Sequence, residues 1–429
     1  MQRPVTAGPG PDPATRAPEA VLPGAPTDDA RSWPRVMVDR TFGRYLLGNV
    51  LTMLGIWVFN IVAVVVAYEA TGSALVAGTV TAAQFVPHIL LSIPAGAAAD
   101  RWSRRTQAAV GHAIAACGSG GLAVWSATSE LDDGAAVPLV LASVVVGVGT
   151  SIAGPAMLAM VPALVRPGEL PTAVTLGMAP LPIGRAVGPV LGTAIAVATQ
   201  PAVAFALTSA LSVAFVVLVL TLHPRPTPRP AEDGTPRLGV WAYLRENRPL
   251  VVLLLCVAAV GAGTDPPITL APVVSASLTG GTGLAGPVAT AFGVGAGLGF
   301  ALIPVARRAL GLRRYGYAGL LVMALGSAVA TIPTVPAAVV GFAVSGAGLT
   351  LTMTGLSATL QASLPEAVRG RMMALWSVAF VGTRPLAAVG NGLVADHLSP
   401  QAALLGMALL GAVAAGFGLT RGAGSRRAP

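Results

Sequence analysis

The chain has 429 residues, of which 54% are hydrophobic and only 10% charged, with a mean hydropathy of +0.75. A soluble domain carries about 25% charged residues, so a chain this poor in charge cannot be wholly water-exposed, and a soluble enzyme fold is excluded. The formal charge of +9 and the pI near 10.8 come from arginine alone, since all 26 basic residues are Arg; such a charge fits nucleic acid or the cytoplasmic side of a membrane, and position has to decide.

Residues 1–42 are rich in Pro, Ala, Asp and Arg, lack the apolar core of a signal peptide, and read as a disordered cytoplasmic tail. A helix needs about 20 mostly apolar residues to cross a bilayer. Such runs follow at 45–68, 76–98, 106–127, 137–160, 171–196, 200–222, 250–274, 281–303, 315–333, 336–358, 372–395 and 401–420. The polar stretch 223–249 divides them six and six. It predicts an N-terminal six-helix bundle over 43–222, a cytoplasmic linker over 223–249, a C-terminal six-helix bundle over 250–421 and a short cytoplasmic tail over 422–429. Cys117 and Cys256 both fall in apolar runs, which implies no disulfide framework.

The arginines alternate from loop to loop. One side holds six in the N-terminal segment, then Arg101, Arg104 and Arg105, Arg166, five in the linker, Arg307, Arg308, Arg313 and Arg314, Arg369 and Arg371, and three at the C-terminus. The opposite loops hold Glu130, Asp132, Asp133 and Asp396 and no arginine. This pattern predicts an even number of spans with both termini cytoplasmic, in a plasma or inner membrane. Because the arginines are spread over short loops without interleaved aromatics, nucleic acid is not expected as a partner. Only Arg185 and Arg384 lie near the middle of spans, the fifth and the eleventh, and they are 199 residues apart. The halves read as repeats, the plan of many secondary transporters with a site between the halves.

Three motifs carry a family resemblance. Gly96-Ala-Ala-Ala-Asp100-Arg101-Trp102-Ser103-Arg104-Arg105 resembles the loop 2–3 signature of the major facilitator superfamily, with Ser103 where glycine is usual. Gly184-Arg185-Ala-Val-Gly188-Pro189-Val-Leu-Gly192-Thr193 resembles the span-five motif of the superfamily's antiporters, with Thr193 in place of the last glycine. Tyr68-Glu-Ala-Thr-Gly-Ser-Ala74, Gly154-Pro155-Ala156 and Leu364-Pro365-Glu366-Ala-Val-Arg369-Gly370-Arg371 resemble the enterobactin-exporter-like and macrolide-efflux-like branch. The resemblance implies an all-α membrane fold of twelve transmembrane helices in two pseudo-symmetric bundles. It also implies a cytoplasmic gate in which Asp100 pairs with Arg101 or Arg105 and with the start of span eleven near Arg371, while Gly96 lets spans two and eleven approach closely. Gly184, Gly188, Pro189 and Gly192 serve either close helix packing or antiport. Span four carries Leu139-Val140-Leu141-Ala142 where many proton-coupled drug antiporters have an arginine.

Ionisable side chains inside a span are costly, so each is a candidate functional residue. Asp265 lies in Gly261-Ala-Gly-Thr-Asp265-Pro266-Pro267, where the glycines and prolines are expected to break span seven beside a carboxylate. Arg185 and Arg384 either bind an anionic group, pair with Asp265 and release it on protonation, or hydrogen-bond helix carbonyls near Pro189 and Pro385. Glu69 at the outer end of span one and His88 beside Pro87 are further candidates for proton coupling, His88 alternatively resting on a backbone carbonyl; Trp57 is a candidate for a cavity wall. No metal site is expected, and a chain without Lys has no P-loop, so an ion gradient and no cofactor is expected to drive it. The expectation is a monomeric exporter of an amphipathic small molecule such as a drug, siderophore or other natural product, working by alternating access and proton antiport. An importer of the same fold and a receptor or scaffold that moves nothing are the rivals.

Overall fold

The computed structural model describes residues 32–129, 132–225 and 240–422; the greater part of the expected tails and linker lies outside the described residues. Near its end the expected N-terminal tail carries a short helix, Trp33–Met37, whose Val36 is buried, and Val240–Glu246 is helical at the end of the expected linker.

Among the described residues, eleven helices are long and apolar enough to cross a membrane. The longest, Ala285–Val329, has 45 residues, about twice the length a bilayer needs, and contains one non-helical residue, Gly311, with φ 75° and ψ 166°. That left-handed φ is open to glycine at no steric cost and turns one continuous helix into two crossings, 285–310 and 312–329. The sequence runs 281–303 and 315–333 expected a gap there, yet helix continues through Pro304 to Gly311. The twelve crossings are then α1 (Phe42–Thr71), α2 (Ala74–Arg101), α3 (Arg104–Thr128), α4 (Ala136–Leu164), α5 (Leu170–Ala198), α6 (Pro201–Leu220), α7 (residues 248–279 in three pieces), α8 (285–310), α9 (312–329), α10 (Val335–Ser363), α11 (residues 366–397 in two pieces) and α12 (Pro400–Phe417).

Local chemistry sets the ends. Gly72, at φ 64°, ends α1, and Ser73 caps α2 by accepting from the Val76 amide. Ser103, Thr334 and Ser399 cap α3, α10 and α12 in the same way. Since lipid supplies no hydrophobic drive between helices, packing relies on small residues that let backbones touch. A Cβ on Gly149 of α4 would lie 2.4 Å from the Gly111 carbonyl oxygen of α3, and one on Gly355 of α10 would lie 2.4 Å from the Gly316 Cα of α9. The third and fourth helices of each half thus share one packing device, as the repeat requires. Exposed Leu and Val side chains such as Leu141, Val197, Leu325 and Val413 cover the outside, while α1 and α7 are the most enclosed helices.

The halves meet mainly where α2 packs on α11 and α5 on α8. These contacts gather toward the end of the bundle away from the arginine-bearing loops. A Cβ on Gly78 would sit 2.2 Å from the Ala388 carbonyl oxygen, and one on Gly293 would sit 2.3 Å from that of Arg185. At the same end the Asp396 carboxylate, closing α11, accepts from Ser73 Oγ (2.6 Å), the Ala74 amide (2.7 Å) and the Leu75 amide (3.0 Å) at the start of α2. Toward the arginine-bearing end no atom of another described residue lies within 4 Å of the Cβ position of Gly96 in α2. The helix pair is closed at the end away from the arginines.

Candidate substrate and coupling site

The centre of the site is the break in α7. Pro266 and Pro267 carry no N–H, so the carbonyls four residues before them have no helical donor there, and the helix stops at Gly263, resumes for one turn at Pro266–Thr269, and resumes again at Ala271–Thr279. Gly261 allows the backbone of α11 against the break: a Cβ there would lie 2.1 Å from the Phe380 carbonyl oxygen. Thr383 Oγ1 donates to the Ala258 carbonyl across the same contact at 2.9 Å.

Asp265 stands at this break, 1% exposed, inside the bundle and not in an outer loop. Its Oδ1 accepts from Thr269 Oγ1 at 2.7 Å and its Oδ2 from Asn391 Nδ2 of α11 at 2.7 Å. Arg384, also on α11, is close enough to act on it by Coulombic attraction. Neither Asn391 nor Thr269 was singled out in the sequence. The signal available was spacing: Thr269 is one turn after Asp265, and Asn391 two turns after Arg384 on the same helix face.

The two arginines lie on opposite halves and are both buried, at 8% and 7% exposure. The Arg185 guanidinium lies over Trp57 of α1 at 4.7 Å and faces Phe292 of α8 at 5.6 Å; Arg384 lies over Phe85 of α2 at 3.8 Å. Arg185 Nε, Arg384 Nε and Arg384 Nη2 are buried without a hydrogen-bond partner among the described residues, so the expected bonds to carbonyls near Pro189 and Pro385 are not what holds these side chains. Arg384, and not Arg185, is the one that acts on Asp265; the two guanidiniums repel each other. Each arginine thus lies against an aromatic face from the other half or from α1, Trp57 among them.

Comparison with known proteins now decides the family. Residues 36–421 match the family described as transmembrane secretion effector. The chain belongs to the transmembrane secretion effector family. It is a transporter of the major facilitator superfamily and not an enzyme. No curated protein matches it. Among solved structures it is similar to a bacterial homologue of the iron transporter ferroportin in an inward-facing state, at 16% identity and a TM-score of 0.70, covering 92% of this chain and 100% of that one. A bacterial homologue of the human lysosomal transporter Spinster, inward-facing and unoccupied, gives 14% identity and a TM-score of 0.69 over 89% and 96% of the two chains. The inward-open xylose transporter XylE from E. coli gives 15% identity and a TM-score of 0.66 over 91% and 96%. At such identities the likeness is one of fold.

The remaining expected residues of this secretion effector fall into place around the site or away from it. Glu69 is exposed at the end of α1 and its Oε1 accepts from Thr282 Oγ1 between α7 and α8, which puts it in the seal between halves and away from Asp265. His88 is half-buried, with Nδ1 3.3 Å from the Gln84 carbonyl and its ring against Phe85. Gly184, Gly188 and Gly192 face α1, where Cβ atoms on the first two would lie 2.8 Å from the Met53 carbonyl and 2.5 Å from Trp57 Cβ; the Pro189 carbonyl oxygen lies instead 2.6 Å from the Cβ position of Gly286 on α8. The antiporter-like motif is therefore the packing seam that brings Arg185 to Trp57.

The loop 2–3 signature differs from expectation in one respect. Among the described residues Gly96 makes no close approach to α11, and the close backbone contacts of α2 with α11 are at Gly78 and Gly392. Arg104 Nη1 donates to the Ala159 carbonyl at 2.8 Å and Arg105 Nη1 to the Leu222 carbonyl at 2.9 Å, tying this corner to α4 and to the end of α6. Arg101 is exposed at the end of α2 and Arg371 lies in α11. The side chain of Asp100 lies outside the described residues.

Proposed function

We propose that the protein is a proton-coupled exporter of an amphipathic small molecule, a drug, siderophore or other natural product, with the arginine-bearing end and both termini in the cytoplasm. It works as a monomer in the plasma or inner membrane. The observation that carries this reading is the buried carboxylate of Asp265 at the break of α7, shared between the hydrogen bonds of Thr269 and Asn391 and the charge of Arg384.

A proton and the Arg384 guanidinium compete for that carboxylate. When Asp265 is ionised it holds Arg384; when it is protonated the attraction is lost and α11 is free to move relative to α7. The family, described by secretion, supports the outward direction. The arginine distribution supports the orientation, and then the seal made by Asp396 and Glu69 faces outward, so that the protein stands closed to the outside. Trp57, Phe85 and Phe292 offer apolar faces beside the two arginines to an amphipathic substrate that enters from the cytoplasm. Gly96, Asp100, Arg101, Arg104, Arg105 and Arg371 belong to the cytoplasmic gate.

The test uses inside-out vesicles from a pump-deficient host and a panel of fluorescent dyes, macrolides and catecholate siderophores. Acidifying the lumen is expected to drive at least one compound into wild-type vesicles, and Asp265→Asn is expected to abolish that uptake while the compound still binds. Export by Asp265→Asn equal to wild type contradicts the coupling role, and proton-driven loss of compound from the lumen marks an importer.

A further inference from the structure

We propose that Thr269 and Thr81 form a hydroxyl relay that transmits the protonation of Asp265 from the C-terminal half to the N-terminal half, so that a proton on Asp265 fastens the halves together. The proposal rests on the coupling role given to Asp265 above.

The atoms form one line across the interface. Thr269 Oγ1 of α7 is 2.7 Å from Asp265 Oδ1 and 3.2 Å from Thr81 Oγ1 of α2, and Thr81 Oγ1 is in turn 3.2 Å from its own Ala77 carbonyl oxygen. Asp265, Thr269 and Thr81 are at most 4% exposed, so bulk water does not supply missing donors and the hydrogens can be counted. A threonine hydroxyl has one hydrogen and an ionised carboxylate has none.

With Asp265 ionised, the Thr269 hydrogen goes to the carboxylate, the stronger, charge-assisted acceptor. The contact between the two threonines then needs the Thr81 hydrogen, and so does the Ala77 carbonyl. One hydrogen cannot serve both, and either the bond between halves or the bond within α2 is lost. With a proton on Oδ1 the chain runs in one direction: Asp265 Oδ1–H donates to Thr269, Thr269 donates to Thr81, and Thr81 donates to Ala77. Oδ2 keeps its bond from Asn391 in both states. Protonation therefore adds one satisfied hydrogen bond to this line, and the bond it secures is the one between the halves.

The charged groups around Asp265 set the competition for that proton. Arg384 on α11 acts on it by Coulombic attraction; Arg185 on α5 and His88 on α2 interact electrostatically with Arg384. Helices α1, α10 and α12 contribute no buried charged side chain among the described residues. A proton arriving from the outside closes the outer end, and its departure to the cytoplasm loosens that end again, which is the order an antiporter requires.

One neutral hydrogen bond corresponds to roughly a fivefold shift between the two states. The experiment places spin labels at Thr199 and Ile332, exposed residues of the two halves at the sealed end, in a chain with Cys117 and Cys256 replaced by Ser, reconstituted in lipid nanodiscs. Pulsed electron resonance then reads the ratio of short to long distances in acid and alkaline buffer. Wild type is expected to gain about fivefold in the short distance in acid, and Thr81→Ser is expected to behave alike. Thr81→Val and Thr269→Val are expected to lose the response, whereas Asp265→Asn, whose amide donates to Thr269 at any pH, stays at the short distance. A wild type without response, or Thr81→Val responding like wild type, overturns the relay. If Asp265→Asn loses its response while Thr81→Val keeps it, the coupling role of Asp265 stands and only the relay falls.

Discussion

Asp265 is the acidic group placed to offset the charge of Arg384 in the interior, where neither ion is easily buried alone. Moving an arginine to the centre of a bilayer costs at least about 3 kcal/mol on insertion scales. A desolvated cation–π contact such as that with Phe85 returns about 2 kcal/mol or more. The opposite charge of Asp265 adds to it. Arg384→Gln is therefore expected to lower stability by about 3 kcal/mol, because it leaves a buried carboxylate without its counter-charge, and Arg384→Gln with Asp265→Asn is expected to recover most of the loss. Thermal unfolding in detergent checks this; a double variant no more stable than the single one contradicts the pairing. Asp265, Arg185 and Arg384 were legible in the sequence because a charge in an apolar run is rare and costly. Thr81, Thr269 and Asn391 were not, since hydroxyl and amide side chains recur throughout the spans and only their meeting across helices distinguishes these three.

At the scale of helices, the contacts of α2 with α11 predict which glycines matter. A side chain at Gly78 meets the backbone of Ala388, whereas one at Gly96 meets open space. Gly78→Val is expected to force apart the ends away from the arginines and Gly96→Val to leave them unchanged, read as labelling by a membrane-impermeant thiol reagent of a cysteine placed at Thr71. Asp396→Ala, which removes the acceptor of three hydrogen bonds at the start of α2, is expected to raise the same labelling several-fold; unchanged labelling contradicts a latch there. Most helices were readable from hydropathy because lipid requires long apolar runs. The continuous helix through Pro304 to Gly311 was not, since a lone glycine in a basic stretch looks like a loop and its φ is known only in three dimensions. Nor did the glycines of the loop 2–3 signature reveal which end of the pair is closed, because that is a property of the conformational state and not of the residues.

For the whole molecule, two six-helix halves seal through Asp396, Glu69 and the glycine contacts at the end away from the arginines. The repeat places one interior arginine on each half, and Asp265 on the C-terminal half acts on the arginine of its own half, so that a change of its charge bears first on α11. The most direct measurement of this account is proton movement in proteoliposomes loaded with a pH-sensitive dye and challenged with a compound that the vesicle screen shows to be carried. Wild type is expected to move protons opposite to the compound when it is added, and Asp265→Asn, folded and still binding the compound, to move none. Proton flux in Asp265→Asn equal to that of wild type would contradict the account.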